Sequence, residues 1–448
     1  MPTPITSEKN HPLRPFDPTT QLITRFRWVI CALLFAATTI NYIDRQILAL
    51  LKPTLDLELG WTNEQYGQVN SAFQAAYAIS YVAFGWFIDR VGIKLGYTVS
   101  IIFWSLAAIS HSFVGSVAGF RWARIALGAG EGGNFPACIK AVACWFPARE
   151  RALAASIFNS GTNIAAVIAP AVVPPLAYRY GWHMCFIVAG AAGFAWLLLW
   201  IPLYRNVPKD SRFVSDGERE LIDRGQPPEA SGEAIGWLSL FSYRQTWAIV
   251  LAKFLTDPVW WFFLIWLPDF FKKTRGLDLK GSWVFLVAIY GISTCLSLCG
   301  GWLSGHLINR GWSVTRARKV SMFIFSLCVV PVVFAPGMGD WGAVFLIGLA
   351  GAAHQAWSAT IYASTSDMFP RRSIAAISGI AGMAGAVGGI LFPPFAGRLL
   401  DHYKLTAGGE SAGYVILFTM CGSAYVIAFL LNHLFAPRFE PIRIPVTQ

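Results

Sequence analysis

The stretch WVICALLFAATTINYIDRQILALL, residues 28–51, is apolar almost throughout and is long enough to cross a lipid bilayer as a helix. Its interior nevertheless carries a charged pair, Asp44 and Arg45. An ionisable group inside a membrane span costs about 3 kcal/mol or more, so it normally faces a partner or an aqueous cavity. The segment therefore predicts a membrane helix that contributes to a polar pathway.

The composition of the whole chain agrees with a membrane environment. Of the 448 residues, 55% are hydrophobic and 13% are charged, whereas soluble proteins carry about a quarter charged residues. The mean hydropathy is +0.51. The net charge of +11 comes from Lys and Arg that stand mainly between apolar runs, which indicates membrane topology and not nucleic-acid binding.

The eight cysteines lie almost all inside apolar segments, without a CxxC pair or a Cys/His metal spacing. We interpret them as small buried residues and expect no metal site. Residues 1–27 are polar and contain no apolar core of a secretory signal. The first helix is therefore expected to direct its own insertion.

The apolar runs predict an all-α integral membrane protein with twelve spanning helices. We expect an N-terminal tail (1–27), a six-helix bundle (28–204), a polar linker (205–245), a second six-helix bundle (246–436) and a C-terminal tail (437–448). The predicted spans are 28–51, 66–88, 95–114, 117–146, 152–178, 182–204, 247–271, 283–308, 320–335, 341–369, 374–400 and 413–435.

Basic residues fall on alternate loops, which predicts that both termini and the linker are cytoplasmic. The basic residues at 272–280 are an exception, because the predicted orientation puts them outside the cell. They either form an ordinary solvated loop or attract anions weakly by their charge.

The two halves of the chain repeat each other's motifs. FPxR occurs at residues 146–149 and at 369–372, and a pair of prolines follows each copy, at 174–175 and at 393–394. The segment GWFIDRVGIK (85–94) has a looser counterpart in GHLINRG (305–311). Two six-helix halves related by a repeat predict a transporter whose midplane site opens to each side in turn.

Four charged residues inside the apolar runs are the candidates for coupling chemistry. Arg124 and Glu131 lie seven residues apart, which places them on one face of a helix about 10 Å apart. A carboxyl group in a low dielectric can take a proton from one side and release it to the other, so Asp44 and Glu131 are predicted proton carriers. An ion-pair network that only fixes helix packing is the alternative, and close packing also explains the small residues at 128–133.

A substrate carboxylate would suit the guanidinium of Arg45 or Arg124, because its fork matches two carboxylate oxygens. Hydroxyl groups of a sugar would need neutral partners, and an aromatic face would suit a pyranose ring, although packing explains each such residue as well. The candidates inside the spans are Tyr42, Gln74, Tyr77, Asn159, Asn163, Trp260, Trp261, Trp357, His354, Gln355 and Ser358. No nucleotide-binding P-loop motif occurs, so we expect a gradient to drive transport, with no cofactor.

Several of these motifs resemble known families. The segment 85–94 is similar to the signature loop of the major facilitator superfamily, and the resemblance implies gating roles for Gly85, Asp89, Arg90, Gly92 and Lys94. NYIDR (41–45), RIALGAGE (124–131) and WFPARER (145–151) resemble motifs of the anion:cation symporters. KFLTDPVW (253–260) and GAAHQAWS (351–358) are similar to segments of bacterial hexuronate transporters.

The resemblance implies proton-coupled uptake of glucuronate or galacturonate by alternating access, by a monomer in the bacterial cytoplasmic (inner) membrane. It gives the proton and carboxylate roles to Asp44, Arg45 and Glu131, and also to Arg124, Tyr42 and Tyr77. Sodium is the alternative coupling ion. Gly132-Gly133-Asn134 differs from the residues that the relatives often have after the glutamate, and this segment is expected to line the cavity. Another acid, such as an aldonate, a dicarboxylate or an aromatic acid, is therefore the alternative substrate. A membrane enzyme is disfavoured because no Ser/His arrangement for a nucleophile is present.

Overall fold

The computed structural model describes residues 24–224, 239–277, 279–369 and 373–442, and within these ranges it is helical with no β-strand. The first half contains α1 (Phe26–Leu59), α2 (Asn63–Val91), α3 (Ile93–Ser110), α4 (Val117–Glu131), α5 (Asn134–Trp145), α6 (Ala148–Tyr180) and α7 (Trp182–Leu203). A short α8 (Asp216–Arg224) follows. The second half contains α9 (Arg244–Arg275), α10 (Leu279–Asn309), α11 (Val314–Val329), α12 (Asp340–Met368), α13 (Ile374–Lys404) and α14 (Gly409–Phe435).

The predicted single span 117–146 is wrong in one respect, because it consists of two helices, α4 and α5. The break falls at Gly132 and Gly133, which keep right-handed backbone angles but leave the regular helix. Pro136 contributes to the break, since it has no N–H to donate and its ring clashes with the carbonyl four residues earlier. The end of α4 is therefore fixed at Glu131.

Ten segments of the described chain are long and apolar enough to cross a membrane by length and composition. The two remaining predicted spans are the α4–α5 pair, whose members are individually short, and α10, which contains the apolar stretch Trp283–Ser297. With these two, the twelve predicted spans are present and form an all-α membrane fold of six plus six helices.

Turn glycines confirm the repeat in the backbone. Six described glycines have positive φ, and no other residue type in the described chain does. Glycine adopts this conformation without the steric cost that a Cβ imposes. They occupy matching turns after the first, second and fifth spans of each half, in the pairs Gly60 and Gly276, Gly92 and Gly311, and Gly181 and Gly409. The second FPxR motif lies partly at 370–372, outside the described residues.

The linker is more ordered at its start than its polar sequence indicates. Glu218 of α8 is fully buried, and its carboxylate accepts hydrogen bonds from the backbone N–H groups of Phe26 and Arg27, each at 3.1 Å. It thereby satisfies free donors at the positive end of the α1 dipole. Arg27 also pairs with Glu218 and with Glu150 of α6, both at 2.8 Å. The start of the linker is thus anchored to the first half.

The two halves are joined at one end of the molecule, opposite to the end where α1 begins and α14 finishes. There α13 packs on α2, α10 packs on α6 and α1 packs on α9. Hydrogen bonds and ion pairs between described residues of the two halves lie here, and they involve residues 52–71 of the first half. We call this region the sealed end. The central cavity lies next to it.

Candidate functional site

A small cavity lies between the two halves, about midway along α1 and α9. The first half supplies its polar lining, and Trp261 of α9 supplies an aromatic wall. Of the predicted charged residues, Arg45 of α1 and Arg124 of α4 line the cavity, while Asp44 and Glu131 are buried beside it and are not among the lining residues. Its lining consists of Tyr42, Arg45, Gln46, Asn70, Phe73, Gln74, Arg124, Trp261, Leu264 and Ile265.

Arg45 is the centre of this site. Its Nε donates to Glu131 Oε2 at 2.6 Å, and its Nη2 donates to Asn41 Oδ1 at 3.2 Å. The guanidinium carbon lies 4.5 Å from the ring centroid of Tyr42 and 4.4 Å from that of Tyr77, within the range of cation–π attraction. Two aromatic rings and one carboxylate therefore hold the guanidinium in a fixed orientation.

Several buried polar atoms around Arg45 have unused hydrogen-bonding capacity. Both carboxyl oxygens of Asp44, Oε1 of Glu131, Nε of Arg124 and Nε2 of Gln74 make no hydrogen bond with any described residue. Buried polar atoms in proteins nearly always have a partner. Such a concentration of free donors and acceptors in and beside one cavity is typical of a site that binds a polar ligand.

Arg124 places a second cation at the cavity. It is almost completely buried, and its guanidinium carbon lies 5.6 Å from the ring centroid of Phe73, while that of Arg45 lies 5.3 Å from the same ring. Its only hydrogen bond to a described residue is long, 3.5 Å from Nη2 to the backbone oxygen of Arg45. The cluster of two arginines, Asp44 and Glu131 is neutral when all four are ionised, and it gains one positive charge with each proton taken up.

A second buried ion pair lies in the other half, at residues for which the sequence alone predicts no role. On α9, Lys253 Nζ lies 2.9 Å from Asp257 Oδ1 and also donates to Ser358 Oγ of α12 at 3.1 Å. The signal was present in KFLTDPVW, where opposite charges stand four residues apart inside an apolar run and so share a helix face.

The predicted residues of the second half do not all face the cavity. Trp260 stacks on His354 with ring centroids 5.3 Å apart, and His354 Nδ1 is 2.6 Å from the hydroxyl of Tyr425. These residues pack inside the half, while the neighbouring Trp261 lines the cavity. Gln355 is half-buried on α12.

The two predicted asparagines of α6 lie apart from the central cavity. Asn159 is exposed and Asn163 is half-buried, and neither is among the residues that line the cavity.

The predicted gating loop connects α2 and α3 by the single residue Gly92, with φ of 86°. A side chain at this position would clash with Asn206, whose Oδ1 accepts a hydrogen bond from the Lys94 backbone N–H at 2.8 Å. Asp89 pairs with Lys140 of α5. In this conformation the loop is tied to its own half.

The surroundings described for the other two loop residues lie within the first half. The guanidinium of Arg90 lies 4.2 Å from the ring centroid of Trp86, and Gly85 has open space where a side chain would be.

Comparisons with known proteins agree with this architecture. Residues 34–393 match the Major Facilitator Superfamily. The Hexuronate transporter of Escherichia coli strain K12 is 32% identical over 389 residues, which cover 85% of this chain and 89% of that protein. The Galacturonate transporter of Dickeya chrysanthemi is 34% identical over 261 residues, covering 58% of this chain and 75% of that protein.

Among solved structures, the chain is similar to a bacterial homolog of the human lysosomal transporter Spinster, crystallised in an inward-facing and occupied conformation. The TM-score is 0.71, with 17% sequence identity, and the alignment covers 93% of this chain and 98% of that chain. At this identity the likeness concerns the fold.

Proposed function

This chain belongs to the Major Facilitator Superfamily, and from that premise we propose that it takes up hexuronates such as glucuronate and galacturonate by symport with protons. It is a multi-pass membrane transporter of small organic acids and not an enzyme. The observation that carries the proposal is the Arg45–Glu131 pair, a guanidinium held by one carboxylate in a cavity between the halves.

Proton and substrate are coupled because both act on the same guanidinium. While Glu131 is ionised, it occupies Arg45 and repels a second carboxylate. Protonation of Glu131 removes this competitor and leaves the fork of Arg45 free for a substrate carboxylate. When the substrate leaves, Arg45 recovers Glu131 and the proton is released. One proton thus accompanies each carboxylate that binds at Arg45.

Asp44 is a second site for a proton. Its side chain is buried and neither carboxyl oxygen has a hydrogen-bond partner among the described residues. An isolated ionised carboxylate in a low dielectric costs several kcal/mol, so the group is more stable with its proton attached. The nearby Arg45 and Arg124 favour ionisation, and a change in their position on switching would alter the balance.

The sealed end determines which side the cavity faces. We place both termini and the linker in the cytoplasm of a bacterial cell, so the sealed end is extracytoplasmic and the cavity faces inward. In the opposite conformation the sealed end parts and the gating loop, Gly85 to Lys94, contacts the second half. We propose that the monomer in the cytoplasmic (inner) membrane is the transporting unit.

The substrate class rests on the relatives and on the cavity chemistry. Two relatives are a Hexuronate transporter and a Galacturonate transporter. Arg45 and Arg124 suit a carboxylate, and Tyr42, Gln74 and Tyr77 suit sugar hydroxyls. Trp261, and not Trp260, offers its face to a pyranose ring.

The test is uptake of labelled galacturonate into proteoliposomes with an imposed pH gradient, at equal sodium on both sides. We expect an inside-alkaline gradient to drive accumulation by the wild type. Glu131→Gln, which mimics the protonated form, should abolish gradient-driven accumulation and retain exchange of internal for external substrate. Glu440→Gln is the matched control, because that carboxylate lies on the exposed C-terminal tail.

Gradient-driven accumulation by Glu131→Gln at the level of the control contradicts the proposal. Unlabelled aldonates, dicarboxylates and aromatic acids are tested as competitors in the same assay. Stronger competition by one of them than by glucuronate assigns the carrier to that acid. A sodium gradient in place of the pH gradient tests the alternative coupling ion.

A further inference from the structure

A second pair of opposite charges is buried in the half that carries no part of the coupling mechanism. The side chains of Lys253 and Asp257 are 5% and 17% exposed. Ionised groups within a membrane protein are costly and normally serve a pathway or a ligand. The pair is not fully satisfied, because Asp257 Oδ1 makes no hydrogen bond of good geometry to any described residue.

The pair lies on the face of α9 that reaches the cavity. Asp257 stands one helical turn before Trp261, which lines the cavity together with Arg45, and Lys253 stands two turns before it, so the three side chains share one face of the helix. Lys253 Nζ is 4.8 Å from the ring centroid of Tyr362 on α12, a side chain that is 40% exposed. A ligand held by Arg45 that extends along α9 past Trp261 therefore approaches Asp257 first and Lys253 next.

Space for the Asp257 carboxylate depends on a glycine of the neighbouring helix. An added Cβ at Gly385 of α13 would overlap the carboxylate of Asp257, whereas an added Cβ at Gly382 would meet no atom within 4 Å. The carboxylate can occupy its position because Gly385 has no side chain. Replacing Gly385 by alanine would therefore displace the carboxylate and change no charge.

The chemistry of the pair is suited to hydroxyl groups. A hydroxyl both donates and accepts, and an adjacent ammonium and carboxylate offer it charge-assisted hydrogen bonds in both directions. Because the pair is neutral overall, it provides no net charge for a second carboxylate. A monoanionic sugar acid matches one cationic end and one neutral polar end, while a dianion does not.

We propose that Lys253 and Asp257, with Ser358, form a subsite that binds the hydroxyl groups of the substrate remote from its carboxylate. The subsite rests on the proposed function, and it gives the carrier a preference for monoanionic, hydroxylated acids. It divides recognition between the halves, because the carboxylate is held by the first half and the hydroxyls by the second.

The test uses Gly385→Ala, which displaces the Asp257 carboxylate, with Gly382→Ala as the matched control on the same helix. The half-saturation concentration of galacturonate and the inhibition constant of tetrahydropyran-2-carboxylate are measured by counterflow. This inhibitor has the ring and the carboxylate but none of the hydroxyls. One lost charge-assisted hydrogen bond corresponds to about a ten-fold loss of affinity or more.

We expect Gly385→Ala to raise the half-saturation concentration of galacturonate about ten-fold and to leave the inhibition constant of tetrahydropyran-2-carboxylate unchanged. The affinities of the two ligands should therefore become more similar. Asp257→Asn should give the same pattern. The proposed subsite is overturned if both constants change by the same factor in Gly385→Ala, or if Gly385→Ala and Gly382→Ala have the same constants. Absence of galacturonate transport by the wild type instead overturns the proposed function.

Discussion

Two buried ion pairs of this transporter differ in how completely their atoms are satisfied. At the sealed end, Lys52 Nζ donates to Asp56, Asn63 and Asp269, at 2.8, 3.0 and 2.8 Å. The other carboxyl oxygen of Asp269 accepts from the hydroxyl of Tyr414 at 2.6 Å. Lys52 and Asp269 are both fully buried, and they join α1 to α9 across the two halves.

The pair in the cavity is built differently. Arg45 and Glu131 belong to the same half, and Glu131 Oε1 has no partner among the described residues. Asp44 and Arg124 beside them also have free atoms. A buried network with every donor and acceptor matched holds two surfaces together, while a partly matched network retains capacity for a ligand. The comparison assigns a locking role to Lys52–Asp269 and a binding role to Arg45–Glu131.

The largest effect is expected from Arg45→Lys. Lysine preserves the charge but cannot donate two parallel hydrogen bonds to a carboxylate or stack as a planar group between Tyr42 and Tyr77. We expect the initial rate of galacturonate uptake to fall about 100-fold or more, which corresponds to two lost charge-assisted interactions. Arg438→Lys is the control, since this exposed arginine of the C-terminal tail pairs only with the neighbouring Glu440 among the described residues. An initial uptake rate for Arg45→Lys within about two-fold of that of the control would contradict a role of Arg45 in binding the substrate.

A smaller effect, on conformation, is expected from Asp269→Asn. Loss of one partner from a buried ion pair costs about 3 to 5 kcal/mol where no other partner compensates, and Lys52 retains Asp56 and Asn63. We therefore expect at least a ten-fold shift in the population ratio towards the outward-open form. Spin labels at Leu57 and Leu405, which are exposed at the sealed end in opposite halves, report the change as a longer distance.

Asp340→Asn is the matched control for this conformational experiment. It removes the Arg275–Asp340 pair, which lies near the same end but within the second half. An unchanged label distance in Asp269→Asn, or an equal increase in both variants, contradicts a lock between the halves.

The sequence predicted the ligand-binding network better than the lock. Asp44, Arg45, Arg124 and Glu131 stand out because each charge interrupts an apolar run, and the cost of burying it implies a function. The sequence does not reveal the lock as a pair. Asp269 stands inside the predicted span 247–271, but its partner Lys52 lies just beyond the predicted span 28–51, where a lysine is typical of a helix boundary. In the structure α1 continues through Pro53 to Leu59, so Lys52 is inside the protein.

Specific pairings depend on tertiary geometry that a single sequence does not contain. Whether Glu131 bonds to Arg45 or Arg124 depends on the rotation of α4 against α1 and on the break at 132–133. For the same reason Trp260 and Trp261, which are adjacent in sequence, have different roles, because only the direction of each side chain decides which one lines the cavity. The twelve spans and the repeat, in contrast, follow from hydropathy and local motifs.

The exchange of Glu131 for a substrate carboxylate at Arg45 is tested most directly by counting protons when galacturonate binds. Purified transporter in weakly buffered detergent solution is titrated with galacturonate while a pH indicator is followed. The wild type is predicted to take up protons on binding, because the displaced Glu131 must be neutralised, and Glu131→Gln is predicted to take up about one proton fewer per substrate bound. Equal proton uptake by the two proteins would contradict the exchange at Arg45.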